Sequence, residues 1–259
     1  MKRNTLRHFL TCSIASALLF LGYTPASSQN YMNVVQKDGE KVRYLVSNID
    51  SIYFSDQEDP EYVDLGLSVN WATFNVGASK PEGSGVFYAW GETEPKENYS
   101  WSTYKWCNGT FDSLTKYNTK SDYGTVDNKT VLDPEDDVAH VKWGGSWRMP
   151  TKAEWDELKN NCIWTWYDSG NTEFGGVPGY KVTSNLSGYT DRYIFLPAAG
   201  GRYGTSLTAL GWSCGRYWSS SLYTGIPGSA CYFLDFDSGY HGTFSSSRYL
   251  GFSVRPVLP

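Results

Sequence analysis

Gly211-Trp212-Ser213-Cys214-Gly215 has the G-x-S-x-G spacing that presents a nucleophilic serine on a sharp turn. Asp235 or Asp237 and then His241 follow, in the chain order of an acyl-transfer triad. That chemistry needs a strand before the serine and a helix after it. Here a Gly/Thr-rich stretch precedes Ser213 and the β-prone run Arg216-Tyr217-Trp218 follows, so the match reads as coincidence. Asp235 and Asp237 lie two apart on an expected strand, which turns both carboxylates to one face. Such a pair suits proton transfer or cation binding. The simpler reading is a solvated strand face, with Leu234 and Phe236 on the other side. Asp133 to Asp137 lack the alternating ligands and central glycine of a calcium loop and fit the start of a helix. Gly144-Gly145 and Gly200-Gly201 belong to neither phosphate-loop pattern. Beyond the first thirty residues the histidines are His140 and His241, and no CxxC pair occurs, so no metal site and no cofactor are expected.

The elements that would position these groups are mostly short. Val34-Val35 and the alternating Val42, Tyr44 and Val46 flank Asp38-Gly39, a strong hairpin signal, and Ile52-Tyr53-Phe54 offers a third strand. Residues 29–56 thus read as a small β unit. Gln57 to Glu61 is charged, contains Pro60, lacks apolar residues and reads as a linker. Val63, Leu65, Leu67, Val69 and Trp71 alternate as in a strand, bent around Gly66. Residues 78–130 are polar and read as long loops. One helix is expected from Asp133, with Pro134 at its first position, through Val138 and Val141 to about Trp143. A second starts at Thr151, whose spacing to Glu154 is that of a capping box, and ends near Asn160 and Asn161. Later strands are expected at Tyr193–Leu196, Arg216–Ser219, Ala230–Phe236 and Gly251–Val257. Few helices, many short strands and large loops predict an α+β domain over residues 62–259.

Lys2, Arg3 and Arg7, the apolar run Ser13 to Leu21, Pro25 and the small residues Ala26, Ser27 and Ser28 follow the order of a secretory signal peptide, residues 1–28. The apolar run is about half the roughly 20 residues a membrane span requires. We therefore expect a secreted chain, extracellular, at the cell surface or periplasmic, with no transmembrane segment after cleavage. Loss of the three leader cations takes the formal charge from −5 to −8. A net acidic chain without a Lys/Arg cluster excludes nucleic acid as a partner. Cys107, Cys162, Cys214 and Cys231 remain, and an oxidising compartment permits their pairing. Cys214 and Cys231 flank an expected strand return and form the expected disulfide, leaving Cys162 a buried thiol.

Six blocks then occur in one order: Val63–Ser79 (VDLGLSVNWATFNVGAS), Ala89–Lys96 (AWGETEPK), Trp143–Leu158 (WGGSWRMPTKAEWDEL), Ile194–Gly200 (IFLPAAG), Tyr217–Ser221 (YWSSS) and Gly251–Val257 (GFSVRPV). Together they resemble the Fibrobacter succinogenes major paralogous domain of secreted Bacteroidetes proteins, over about Tyr62 to Pro259. The resemblance implies a C-type-lectin-like fold with two helices, short antiparallel strands and long loops. The segment RMPTKAEW is also similar to formylglycine-generating, sulfatase-modifying enzymes. Those use a closely spaced cysteine pair to bind copper, whereas Cys214 and Cys231 stand far apart in this sequence. The Glu-Pro-Asn, Gln-Pro-Asp and Trp-Asn-Asp motifs of calcium-dependent lectins do not occur here. In some members of the fold the stretch before GFSVRPV is a display surface.

In this chain that stretch, Tyr217 to Tyr249, is rich in Tyr, Ser and Gly, the composition of adaptable recognition surfaces. Tyr217, Trp218, Tyr223, Tyr232, Tyr240, His241 and Tyr249 are the expected contacts for a protein or glycan ligand, in a non-catalytic binding module. An enzyme of formylglycine-generating or hydrolase type and a structural component of the cell surface are the alternatives. Aromatic residues also build cores, so each of the seven has a plain packing role as its competing reading.

Overall fold

The computed structural model describes residues 30–35, 40–48, 61–208, 214–225 and 228–259. The signal peptide, the Asp38-Gly39 turn, the Ile52–Phe54 strand and all of the linker but Glu61 lie outside them, as does Ser213 of the G-x-S-x-G match. The chain divides into two compact units, Met1–Asp59 and Pro60–Pro259. No helix among the described residues is long and apolar enough to cross a membrane.

In the first unit β1 (Tyr31–Val35) and β2 (Lys41–Leu45) pair antiparallel, Tyr31 opposite Leu45 and Val35 opposite Lys41. Met32, Val34, Val42 and Tyr44 therefore share one half-buried face. Arg43 lies 3.6 Å from the centroid of the Tyr31 ring.

The second unit is α+β, mostly strands with two helices. Its elements are β3 (Tyr62–Val63), β4 (Asn70–Ala72), α1 (Val138–Trp143), α2 (Lys152–Asn161), β5 (Cys162–Tyr167), β6 (Gly179–Ser184), β7 (Tyr193–Pro197), β8 (Gly201–Tyr203), β9 (Ser206–Thr208), β10 (Cys214–Leu222), β11 (Ala230–Asp237), β12 (Tyr240–Ser247) and β13 (Val257–Leu258). They form the sheets β13-β4-β3, β5-β6-β7 and β10-β11-β12 and the ribbon β8-β9. Residues 78–130 contain short 3-10 turns and isolated bridges, the long irregular region that their polar composition predicts.

The sheet β10-β11-β12 separates two apolar clusters. Trp218, Leu222, Cys231 and Phe233 pack with Trp90, Trp143, Met149 and Phe252. Tyr217, Leu234 and Phe236 pack with Trp71, Trp155, Leu158 and Leu196. Burial on both faces explains why β10 and β11 carry consecutive apolar residues instead of strict alternation. Two fully buried arginines tie loops to this frame. Arg255 donates to Asn75 Oδ1, Ala72 O, Thr73 O and Phe195 O at 2.8–3.1 Å. Arg248 donates to the carbonyls of Lys116, Tyr117 and Gly228.

Three expectations are corrected. The helix does not start at Asp133. Pro134–Asp136 is a 3-10 turn, and α1 begins after Asp137, whose carboxylate accepts from Ala139 N, His140 N and Met149 N. Asp136 is turned away by Tyr117 and Lys116. Gly251–Val257 forms bridges at Phe252 and Ser253, with a regular strand only at β13. Tyr240 and His241 are the first two residues of β12, beside the turn that follows β11. The disulfide does not exist: all four described cysteines are free. Cys214 stands opposite Asp237 and Cys231 opposite Leu222, at the two ends of the hairpin. That offset along β11 is about 20 Å at the usual strand rise, far beyond disulfide reach. Cys162 is a buried free thiol, its pKa pushed up to about 12 by burial and by Glu157.

Candidate functional site

An open, shallow groove of the second unit lies at the start of α2. Thr151 caps this helix: its hydroxyl accepts from Glu154 N, and Glu154 Oε2 accepts from Thr151 N at 2.7 Å. Arg148 grips the same carboxylate with both terminal nitrogens. Burial opposes the Glu154 charge, but these bonds outweigh it and hold its pKa below the usual value. Trp155 and Leu158 anchor the helix in the core. Its N-terminal turn is thereby fixed against the end of β10, where Lys152 N donates to Ser221 Oγ at 3.1 Å.

A groove of about 460 Å³ runs there, lined chiefly by Val131, Lys152, Ala153, Asp156, Leu222 and Tyr232. That volume is within the range of small-ligand sites. A second hollow of about 330 Å³, bounded by Pro134, His140, Trp147 and Arg148, shares Val131 and Thr151 with it. Lys152 Nζ pairs with Asp156 and lies 5.3 Å from the Tyr232 ring centroid. Asp156 is held further by Lys159 at 3.0 Å and by the Thr243 hydroxyl at 2.8 Å. Burial raises its pKa, but the three donors prevail and the carboxylate stays below its usual range. Tyr223 meets Tyr232 edge-on, ring centroids 5.4 Å apart. The arrangement offers an aromatic face, fixed opposite charges and apolar walls. Asp156 in the groove and Glu154 at the neighbouring helix cap are both held ionised by their donors.

The seven expected contacts scatter. Tyr232 lines the groove, and Tyr223 packs edge-on against it. Tyr217 and Trp218 are fully buried, which corrects their reading as ligand contacts. Tyr217 donates to Pro197 O at 2.7 Å, and burial pushes its pKa up to about 12. Trp218 donates to Tyr88 O at 2.8 Å. His241 stacks on Trp164 at 4.5 Å, and burial with the charge of Lys159 lowers its pKa. Tyr240 lies on the other face of β12 against Phe244. Tyr249 belongs to a separate aromatic group with Trp101 and Tyr203. The triad order dissolves as well, because β10 and not a helix follows Ser213. Asp235 is half-buried beside Arg216, so the solvated-face reading holds for Asp237 and only in part for Asp235.

Asp133, Glu135 and Asp136 bring carboxylate oxygens within 4.8 Å of one another, a grouping able to hold a cation. Lys116 already holds that place, 2.7 Å from Asp133, 3.5 Å from Glu135 and 2.6 Å from Asp136. Burial works against its charge, yet the bonds with Asp133 and Asp136 raise its pKa. Lys152 and Asp156 were the readable sign of the groove that the sequence analysis missed. Their four-residue spacing on an expected helix, just inside its capping box, puts both on the exposed face.

No family model matches the chain, and comparisons with characterised proteins and with solved structures find no match either.

Proposed function

We propose that the Pro60–Pro259 unit is the ligand-binding module of an exported protein, a non-catalytic major paralogous domain of C-type-lectin-like fold. Its ligand is a protein segment or glycan held in the groove beside α2. The α+β architecture of two helices, short antiparallel strands and long loops supports the fold reading. The observation that carries the function is the preorganised set at the groove. Asp156 is fixed by Lys152, Lys159 and Thr243, and Lys152 in turn lies over Tyr232. A site already ordered before binding loses little side-chain entropy on association.

The test is a glycan and protein array probed with the wild-type chain, followed by titration of any ligand found against Tyr232→Ala and Lys152→Met. Removing a central tyrosine should weaken binding by about 2 kcal/mol, as a hot-spot residue does, with melting unchanged. Unaltered affinity in both variants would place the ligand elsewhere and overturn this site.

A further inference from the structure

The two edges of the sheet β10-β11-β12 are treated very differently. The edge of β10 is saturated. Gly200 N donates to Cys214 O, Trp218 N to Ser253 O, Ser220 N to Pro150 O and Leu222 N to Thr130 O, while Ser253 N and Leu132 N donate to Arg216 O and Ser220 O. On the β12 side no such strand is present among the described residues. Arg248 N donates to Ser229 O, and the register continues without a shift from Ala230↔Ser247 to Asp237↔Tyr240. Residues exchanging bonds with β11 therefore fall at Tyr240, Gly242, Phe244 and Ser246. The backbone groups of His241, Thr243, Ser245 and Ser247 turn to the open edge, where Ser247 O is taken by Leu250 N.

Natural proteins guard such an edge with charges, proline or a bulge. β12, Tyr-His-Gly-Thr-Phe-Ser-Ser-Ser, contains no charged residue and no proline, and its ladder has no bulge. Its outer face carries Tyr240 and Phe244, 37% and 46% exposed. His241, Thr243 and Ser245, whose edge groups have no backbone partner among the described residues, are symmetric about Thr243. A second β12 laid antiparallel pairs His241 with Ser245 of the other copy and Thr243 with its equivalent, and satisfies all three on both copies. The same register puts Phe244 of each copy opposite Gly242 of the other, a glycine over which Tyr240 and Phe244 of the same strand already lie. β12 itself brings no charged residue to the seam.

We infer that β12 is a strand-pairing interface at which two copies of this chain join antiparallel around a two-fold axis at Thr243, extending the sheet to six strands. A self-complementary patch of this kind is what a closed two-fold dimer requires.

Sedimentation of the full-length chain across a wide concentration range tests this. The wild type should dimerise. Ser245→Pro removes one edge-facing N–H and no bond to β11, a position where a strand tolerates proline. It should weaken the dimer at least about tenfold with melting and near-ultraviolet circular dichroism unchanged. Ser246→Pro, which loses a bond to Cys231, should damage the fold instead and so verifies the ladder assignment. A wild type that stays monomeric throughout, or a dimer indifferent to Ser245→Pro in a folded variant, overturns the proposal. So does a monomeric wild type whose β12 captures an unrelated extended peptide.

Discussion

At the scale of single residues, burial decides what a polar or aromatic side chain does here. Tyr217 and Tyr232 are alike in the sequence, two tyrosines in one Tyr-rich stretch. One is sealed between Phe236 and Trp155 and the other stands at a groove under a lysine. Periodicity cannot separate them, because β10 and β11 are packed on both faces and lose the alternation that marks an exposed side. His241 shows the same effect in its titration. Burial first, and the Lys159 charge second, hold its pKa below the ordinary 6.5. The unfolded chain then binds a proton near 6.5 that the folded chain refuses, so the stability this site contributes is whole above 6.5 and is lost as pH falls through the lowered value. His241→Phe keeps a ring on Trp164 and removes the titration. Melting temperatures measured from pH 7.5 to 5 should fall less steeply in the variant than in the wild type. Parallel curves would assign the acid sensitivity to other groups.

At the scale of elements, α2 is the piece that was most legible and also the one that serves the site. Thr151, Glu154, Trp155 and Leu158 announce its start and its inner face, and the structure places them so. Glu154 both accepts the Thr151 N–H and pairs with Arg148. Glu154→Ala should therefore cost about 2 kcal/mol, combining a lost capping box with an unpaired, partly buried arginine. Denaturant titration measures it, and a change below about 0.5 kcal/mol, the size of an ordinary surface substitution, would show that the cap is dispensable. Other elements were hidden for physical reasons. β12 is Gly- and Ser-rich and is missing from the expected strands, since its extended form is imposed by the β11 ladder and not by its own propensity. β5 and β6 fall between Gly and Asn residues in a stretch of aromatics whose strand character depends on mutual packing, Trp164 and Trp166 against Tyr180. The expected disulfide failed for a related reason. Sequence separation between Cys214 and Cys231 suggested neighbouring strands, and they are neighbours, but the hairpin register sets the two sulfurs at opposite ends.

At the scale of the whole molecule, the second unit is closed by its last residues. β13 pairs with β4, Val257 exchanges backbone bonds with Arg148, and Arg255 gathers carbonyls from Ala72, Thr73 and Phe195. Burial alone lowers the Arg255 pKa to about 10 against the charge of Tyr217, and no carboxylate among the described residues pairs with it. Lysine cannot reproduce the planar fork that reaches four acceptors. Arg255→Lys should destabilise the unit by about 3 kcal/mol, the cost of leaving buried carbonyls unpaired, and a single cooperative melt should shift as a whole. A variant that melts like the wild type would show that water or lysine replaces those bonds. Arg255 reaches Asn75 across 180 residues of chain. On the ribosome, then, β4 waits for β13, a partner made after the rest of this unit's strands. Contacts of such sequence separation form slowly, and the growing polypeptide remains a substrate for chaperones and proteases until the segment that locks this unit has been made.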